Sequence, residues 1–375
     1  MTKQKVALVC DWLTGVGGAE KVILAVHRMF PEAPIYTSQY RPKKIDWFDD
    51  ATVKTGWLNY FPAWMKKFIP FLRQFYFSRL DLSRFDLVIS ITGAEAKAVK
   101  TGEQTVHISY MHAPTQYYWT LYDQYVANPG FGWLNPLVRF FFKLLVGPLR
   151  RADYRSAQNP DVVIANSSYV RAEIEKHYGR QSEVIWPNVD VEKIRQIVHD
   201  KGLAGKKRQG YIIYGRQVSW KRMDIAVQAC VRLGRELLVV GYGPENKRLM
   251  QLAVESDNVK FLPKYNGIEE IVERITGTQA FLFPAVEPFG IAPVEALASG
   301  TPVIGLRRGG AIDIIEDGVN GVFFEEQTAE SLVEAIERFE KMSLDEKTIR
   351  QSAEKFAEAE FVSRFSEVVE RARQN

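Results

Sequence analysis

Short apolar runs of strand length alternate with segments of helical period along almost the whole chain, the pattern a parallel sheet with crossover helices imposes. In the first half these runs predict strands at Val6–Cys10, Pro34–Ser38, Asp86–Ile91, Thr105–Tyr110 and Val162–Ala165. Gly18 to Phe30 has the clearest helical period, with Val22, Val26 and Met29 on one face and Pro31 ending it. The pattern restarts at Tyr211–Tyr214 and continues through Leu237–Val240, Val259–Leu262, Ala280–Phe283, Pro302–Ile304 and Val322–Phe324, each followed by a helix-like segment. Two doubly wound α/β units are expected. Rigid Pro187 and turn-prone Asn188 follow the strand run Val184–Trp186, which predicts a first domain over 1–187 and a second from 188.

A length of 375 residues suits two cores, and 46% hydrophobic with 25% charged residues describes a packed globular protein. Only Cys10 and Cys230 occur, each inside an apolar run, which argues against a disulfide framework or a thiolate metal site and fits a reducing cytosol. Met1–Cys10 runs straight into a strand without the signature of a leader. The longest apolar stretch, Phe131–Leu149, is broken by Asn135, Pro136, Arg139, Lys143 and Pro148, so no spanning helix is expected and a cytoplasmic setting is. Charge divides unevenly: 23 Lys and Arg face 16 Asp and Glu through Ile185, a balance of +7, and 26 face 29 afterwards, a balance of −3. A basic half fits nucleic acid or an anionic lipid surface.

The strongest chemical signal is the segment Glu287-Pro-Phe-Gly-Ile-Ala-Pro-Val-Glu295, directly after the apolar strand ending at Pro284. Open α/β sheets bind ligands at that edge, and Gly290 opens a helix whose Pro293 lacks an N–H of its own. The N–H groups around Phe289, Gly290, Ile291 and Ala292 can face an anionic or hydroxyl-rich ligand. Glu287 and Glu295 are placed to meet opposite ends of an elongated ligand, and carboxylates take paired sugar hydroxyls well. A loop acid and a solvated helix acid are the plainer alternatives. The second signal is Tyr214-Gly215-Arg216-Gln-Val-Ser-Trp-Lys221-Arg222, where Arg216 and Lys221 can both reach one diphosphate and stabilise a charged leaving group without a metal; no Asp-x-Asp pair is present to hold one.

Weaker signals follow the other strands. Thr14-Gly-Val-Gly-Gly-Ala-Glu20 fails the dinucleotide fingerprint, because Glu20 takes the place of its last glycine; close backbone approach to phosphate or sugar at Gly17 and Gly18 remains, beside the alternative of tight helix packing. His112 lies just past a strand at the same sheet edge. Gly241-Tyr242-Gly243-Pro244 reads as a turn compatible with a nucleotide, and Ser167 and Ser168 as helix N-caps.

With these residues assembled, the chain resembles the large group-1 (family 4) type of retaining GT-B glycosyltransferase, two Rossmann-like domains facing a cleft. Asp11-Trp12-Leu13, His112-Ala-Pro-Thr, Tyr117-Tyr-Trp119 and Ala165-Asn-Ser-Ser-Tyr169 make it most similar to bacterial O-antigen-type mannosyltransferases. The resemblance implies that Arg216 and Lys221 bind the donor diphosphate, Glu295 the ribose hydroxyls, and Glu287 with the Phe289–Ile291 backbone the transferred sugar. It implies that Gly17 and Gly18 close the cleft and that His112 lies near the donor sugar, with Gly241 and Lys264 beside the nucleotide. It further implies a nucleotide-sugar donor, GDP-mannose first and a UDP-hexose second, no metal or other cofactor, and a second domain over 188–357 followed by a 358–375 helix that crosses back. Departures occur at Pro187-Asn188-Val189-Asp190 and at Pro263-Lys264-Tyr265, where the base should lie. Epimerase or phosphorylase chemistry, or a non-catalytic sugar-nucleotide-binding subunit of a polysaccharide assembly complex, are the competing readings.

Segment Lys54–Arg84 mixes Trp57, Tyr60, Phe61, Trp64, Phe68, Phe71, Phe75, Tyr76 and Phe77 with six cations and one acid, and Phe131–Arg155 repeats the mixture. Such stretches lie in a bilayer interface. Peripheral docking on an anionic membrane, reaching a polyprenyl- or other lipid-linked acceptor, is expected in preference to nucleic acid; a buried core is the alternative.

Overall fold

The computed structural model describes residues 4–62, 70–127, 132–265 and 267–374, so Trp64, Phe68 and Phe131 lie outside the described residues. The chain divides into two compact units, Met1–Pro187 with Val362–Asn375, and Asn188–Phe361.

The first unit is a parallel sheet of seven strands: β1 (Val6–Cys10), β2 (Ile35–Thr37), β3 (Val53–Thr55), β4 (Leu87–Thr92), β5 (Val106–Met111), β6 (Val162–Ala165) and β7 (Glu183–Val184), in the order β3-β2-β1-β4-β5-β6-β7. All six residues of β4 are buried. That is why these strands read as continuous apolar runs without alternation: both faces of a parallel sheet are covered. β3 was not expected as a strand, and β7 meets the expected strand run Val184–Trp186 only at Val184. They are edge strands of three and two residues, β3 largely exposed, too short to carry a period.

The second unit holds β8 (Tyr211–Tyr214), β9 (Leu237–Val240), β10 (Val259–Leu262), β11 (Ala280–Phe283), β12 (Val303–Leu306) and β13 (Gly321–Phe324), all parallel and ordered β10-β9-β8-β11-β12-β13. Strand order reverses between β1 and β4 in one sheet and between β8 and β11 in the other. At such switch points the loops beyond the C-terminal strand ends splay apart and leave a crevice.

One helix opens on a cap the sequence placed. Ser167 is extended and its side chain accepts from Val170 N at 3.0 Å, opening the helix Ser168–Tyr178, which Gly179 ends at φ 62°. Of the two serines expected to cap, Ser167 alone does so; Ser168 is the first helical residue. The last helix, Glu358–Gln374, starts within the second unit and belongs to the first from Val362 onward.

The first unit also buries two ion pairs. Arg73 Nε meets Glu95 Oε2 at 2.7 Å, and Arg73 also donates to Tyr117 Oη at 2.9 Å. Lys97 Nζ meets Asp153 Oδ1 at 2.7 Å, while Trp119 Nε1 and Tyr178 Oη each donate to Asp153 Oδ2 at 2.7 Å and Thr115 Oγ1 to Oδ1 at 2.8 Å. Thr115, Tyr117 and Trp119 of the quoted motifs therefore have structural tasks here: they satisfy charges that burial would otherwise make costly.

The aromatic segments divide. Phe77 is fully buried and Tyr76 partly so, correcting the expectation that the whole Lys54–Arg84 run faces a membrane. Trp57, Tyr60, Phe71 and Phe75 are exposed. In the helix Asn135–Ser156, Leu137, Phe140, Phe141, Leu144 and Leu145 are all exposed. Their spacing sets them on one face, with exposed Lys143 and Arg151 nearby. Among the described residues no helix is long and apolar enough to cross a membrane.

Candidate functional site

The second sheet's switch point gathers the strongest motifs. After β8 the chain turns at Gly215, whose φ of 136° favours glycine, and a 3-10 turn, Ser219–Lys221, leads to the helix Met223–Leu233. This turn brings Lys221 Nζ to 2.6 Å from Glu287 Oε1, in the loop after β11. The pair is roughly four-fifths buried, with side-chain exposures of 23% and 19%, so it stays reachable from solvent. The cation thus comes from one side of the strand reversal and the acid from the other.

A second bond spans the same reversal. Tyr214, last in β8, donates its hydroxyl to Glu295 Oε2 on the helix Ile291–Ala298. Burial, and then the neighbouring Glu295 carboxylate, push the Tyr214 phenol well above its usual range, so it stays protonated and keeps donating. One oxygen of Glu295 is fixed by Tyr214. Gly290 caps that helix at φ 117°, and no side-chain cap bond is made there. A Cβ at Gly290 would sit 2.9 Å from the Phe283 ring, so both conformation and space demand glycine. Phe289 is buried and its ring packs 5.5 Å from Phe356. Phe289 therefore contributes backbone to the crevice and ring to the core.

Arg216 is exposed and makes no ion pair among the described residues. Lys264 is likewise exposed, in the loop after β10 at the same sheet edge. Among the described residues neither makes a hydrogen bond or ion pair with Lys221 or Glu287. Gly241, at φ 118°, closes against the first loop: a Cβ there would lie 2.1 Å from Gly215 O. Its carbonyl accepts from Gln217 Nε2 at 2.7 Å, and Gln217 Oε1 accepts from Asn246 Nδ2 at 2.9 Å. Gly241 is thus a packing position between two loops.

Gln217 was not singled out in the sequence, although it is fully buried and ties the β8 and β9 loops together. Gly309 and Gly310 were also missed. Gly310 N donates to Glu287 O at 2.8 Å, and Cβ atoms at these glycines would sit 2.6 Å from Glu287 O and 2.2 Å from Phe289 O. They hold the Glu287 loop from behind. A Gly-Gly pair just past a strand was the available signal.

In the first unit, Gly17 is the extended N-cap of the helix Gly18–Met29, without a side-chain cap bond. The Glu20 carboxylate comes within 2.8 Å of where a Cβ on Gly17 would be. Negative charge already lies at this helix end, so a hydroxyl-bearing group suits the loop better than a phosphate. Asp11, just past β1, accepts from Thr92 Oγ1 at 3.0 Å and from Gly93 N and Ala96 N at 2.8 Å, fixing the loop after β4. His112 follows β5. Its N donates to Thr92 O at 2.8 Å, its ring packs edge-on against Tyr110 at 5.4 Å, and its Nε2 is sealed from solvent without a hydrogen-bond partner. Burial pulls the imidazole down to about 4, so it is neutral at physiological pH, with one donor and one acceptor nitrogen.

Two strand-order reversals, each with its crevice-edge polar groups, define a protein of two Rossmann-like domains, and solved structures share that fold. HepE from Anabaena in complex with UDP and glucose superposes with a TM-score of 0.66 at 18% identity, covering 98% of this chain and all of that one. The lipopolysaccharide outer core galactosyltransferase WaaB gives 0.67 at 16%, covering 98% and 99%. The fold is that of the GT-B glycosyltransferases.

Residues 194–356, within the second unit, match the family of glycosyl transferases group 1. Among curated relatives, a GDP-mannose-dependent alpha-mannosyltransferase of Corynebacterium glutamicum is 36% identical over 121 residues, 32% of this chain and 28% of that protein. Glycogen synthase of Thermus thermophilus is 32% identical over 152 residues, 38% and 34%. An uncharacterised glycosyltransferase of Methanocaldococcus jannaschii is 23% identical over 238 residues, 59% and 58%. The chain thus spans from about a quarter to three fifths of the length of these relatives.

Proposed function

We propose that the protein is a retaining, metal-independent hexosyltransferase that moves mannose from GDP-mannose onto a lipid-linked saccharide in cell-surface glycan synthesis. The observation that carries this reading is the reachable Lys221–Glu287 pair at the second sheet's switch point, inside the segment that matches group 1 glycosyltransferases. A diphosphate leaving group gains negative charge as the anomeric bond breaks. Lys221, already in place, and Arg216, free to turn toward it, offset that charge. Glu295, held through one oxygen by Tyr214, takes the ribose hydroxyls, and Glu287 with the Phe289–Ile291 backbone takes the sugar. Retention follows when the acceptor hydroxyl attacks from the face the leaving group departs, its proton passing to the departing phosphate; no glutamate forms a covalent bond. GDP-mannose is supported by the Corynebacterium relative and a UDP-hexose, the second donor, by the HepE complex.

The acceptor is reached from a membrane surface on the cytoplasmic side. The exposed stripe Leu137, Phe140, Phe141, Leu144 and Leu145, flanked by Lys143 and Arg151 in the half that carries the chain's positive excess, fits an anionic bilayer; each cation near the surface adds about 1 kcal/mol. Flotation with anionic vesicles should capture the protein at low salt and lose it for Phe140→Ser with Leu144→Ser. Unchanged flotation of that variant would remove this surface from the reading.

A thermal-shift panel of GDP, UDP, ADP and their hexose conjugates in EDTA tests the donor. A ligand at 100 times its Kd stabilises by about 2.7 kcal/mol. Stabilisation by GDP and GDP-mannose is expected; a shift for UDP compounds alone replaces the donor, and no shift for any nucleotide overturns the reading.

A further inference from the structure

A cavity of about 700 Å³ opens at the other edge of the second sheet. Arg208 and Gln209 lead into β8, Arg235 and Glu236 into β9, and Gln279 into β11, and all of them line it. These are the N-terminal ends of parallel strands, whereas Lys221 and Glu287 lie past C-terminal ends. β8 serves both edges. Tyr211, its first residue, donates to Glu340 Oε1 at 2.9 Å beside the cavity, and Tyr214, its last, donates to Glu295. Three steps of about 3.3 Å put about 10 Å of strand between them, so the cavity is separate from the crevice. Its volume falls within the roughly 300–1,000 Å³ of small-molecule sites.

One wall is apolar, formed by Phe339 at the end of the helix Ala329–Phe339 and by Met342 and Leu344 in the turn that follows. The other wall is polar and its charges cancel. Arg235 Nε and Nη2 hold Glu340 at 2.7 and 2.8 Å; Glu346 accepts from Arg350 and lies 3.4 Å from Arg208 Nη2. Arg208, Arg235 and Arg350 thus balance Glu236, Glu340 and Glu346. What stays open can both donate and accept. Arg208 Nη1 donates to Thr301 Oγ1 at 2.7 Å, but among the described residues neither its Nε nor the side chains of Gln209, Glu236 and Gln279 make a hydrogen bond or ion pair. The Arg208 side chain is 17% exposed, and burial pulls its guanidinium below the usual range, so oxygens brought by a ligand would relieve it.

We propose that this cavity is a second, non-catalytic site that binds a neutral oligosaccharide. A sugar hydroxyl donates and accepts at once, so a polyhydroxyl chain uses two amides, a carboxylate and a guanidinium N–H together. Its C–H faces cover Phe339 and Met342, the division of labour usual in ligand sites. Charge excludes the alternatives: an anion that gains Arg208 meets Glu236, and a cation that gains Glu236 meets Arg208. The site goes beyond the glycosyltransferase reading and does not rest on it. In a hexosyltransferase it keeps the glycan at a raised local concentration between transfers.

Saturation-transfer NMR on the full chain tests the site with mannotriose and maltotriose as probes. The wild type should saturate the protons of at least one of them, and excess GDP should leave that saturation in place, because the crevice lies at the other sheet edge. Gln209→Ala with Glu236→Ala and Gln279→Ala removes three exposed side chains and should cut the saturation by at least half at an unchanged urea midpoint. Lys221→Ala should keep it. Absent saturation of both trisaccharides, or wild-type saturation in the triple variant, overturns the site. Saturation lost to GDP or in Lys221→Ala puts the saccharide in the crevice and overturns it as well. The nucleotide thermal-shift panel decides the glycosyltransferase reading separately, since the triple variant reads the cavity whether or not a nucleotide binds.

Discussion

Two of the molecule's lysine–carboxylate pairs are of nearly equal length in opposite settings. Lys97 and Asp153 of the first unit meet at 2.7 Å with side-chain exposures of 2% and 0%; Lys221 and Glu287 of the second meet at 2.6 Å with 23% and 19%. Every oxygen of Asp153 is occupied by Thr115, Trp119, Tyr178 or the lysine itself. Lys221 and Glu287 have one another, and water can reach both. Distance alone does not separate a structural pair from a functional one. Saturation by other protein groups does, since a charge that still has room for partners can exchange them for a ligand's.

Breaking the first pair sharpens that contrast most. Asp153→Ala strands a buried lysine and should cost about 3–5 kcal/mol of stability, read as a lower urea midpoint with unchanged m. Lys221→Ala should leave the midpoint close to wild type, yet lower kcat for hexosyl transfer by about 10²–10³. If the two variants lose stability equally, the distinction drawn from saturation fails. Tyr214→Phe removes the donor to Glu295 and should weaken nucleotide binding by about 1.5–3 kcal/mol, seen as a raised Kd for GDP with little change in kcat.

A further effect is one of pH. His107 and His112 are held at about 3 and about 4 by burial, below the usual 6.5, so the folded protein binds fewer protons than the unfolded chain in between. Their contribution to stability is complete above about 6.5 and is lost as pH falls toward the folded values. His112→Gln should flatten the stability profile between pH 6 and 4, and an identical slope would show that His112 is not buried as described.

Most strands were legible because covered parallel strands are short, apolar and bounded by turns. Val162–Ala165, Tyr211–Tyr214 and Ala280–Phe283 fall where the pattern placed them. β3 was not, and β7 was met only at Val184, since an edge strand is defined by its neighbour's hydrogen bonds and needs no pattern of its own. At the site, Lys221, Glu287, Glu295 and Gly290 were visible as chemistry after strands. Gln217 was not, because its task is to meet another loop's backbone, which no local spacing encodes, and Gly309 and Gly310 showed only as a glycine pair past a strand.

Sequence by itself determined two α/β units, the strand-end positions of the charged and glycine-rich motifs, and the absence of a dinucleotide fingerprint. Those features are local: period, turn chemistry and residue type act over a few neighbours. Only the tertiary structure decided which lysine is walled in and which is open, which phenylalanines of the basic segments are core and which form an exposed stripe, and which polar atoms remain unpaired. Burial and hydrogen-bond satisfaction depend on groups far apart in the chain, 66 residues between Lys221 and Glu287 and 56 between Lys97 and Asp153, and they exist only once the sheets bring those groups together.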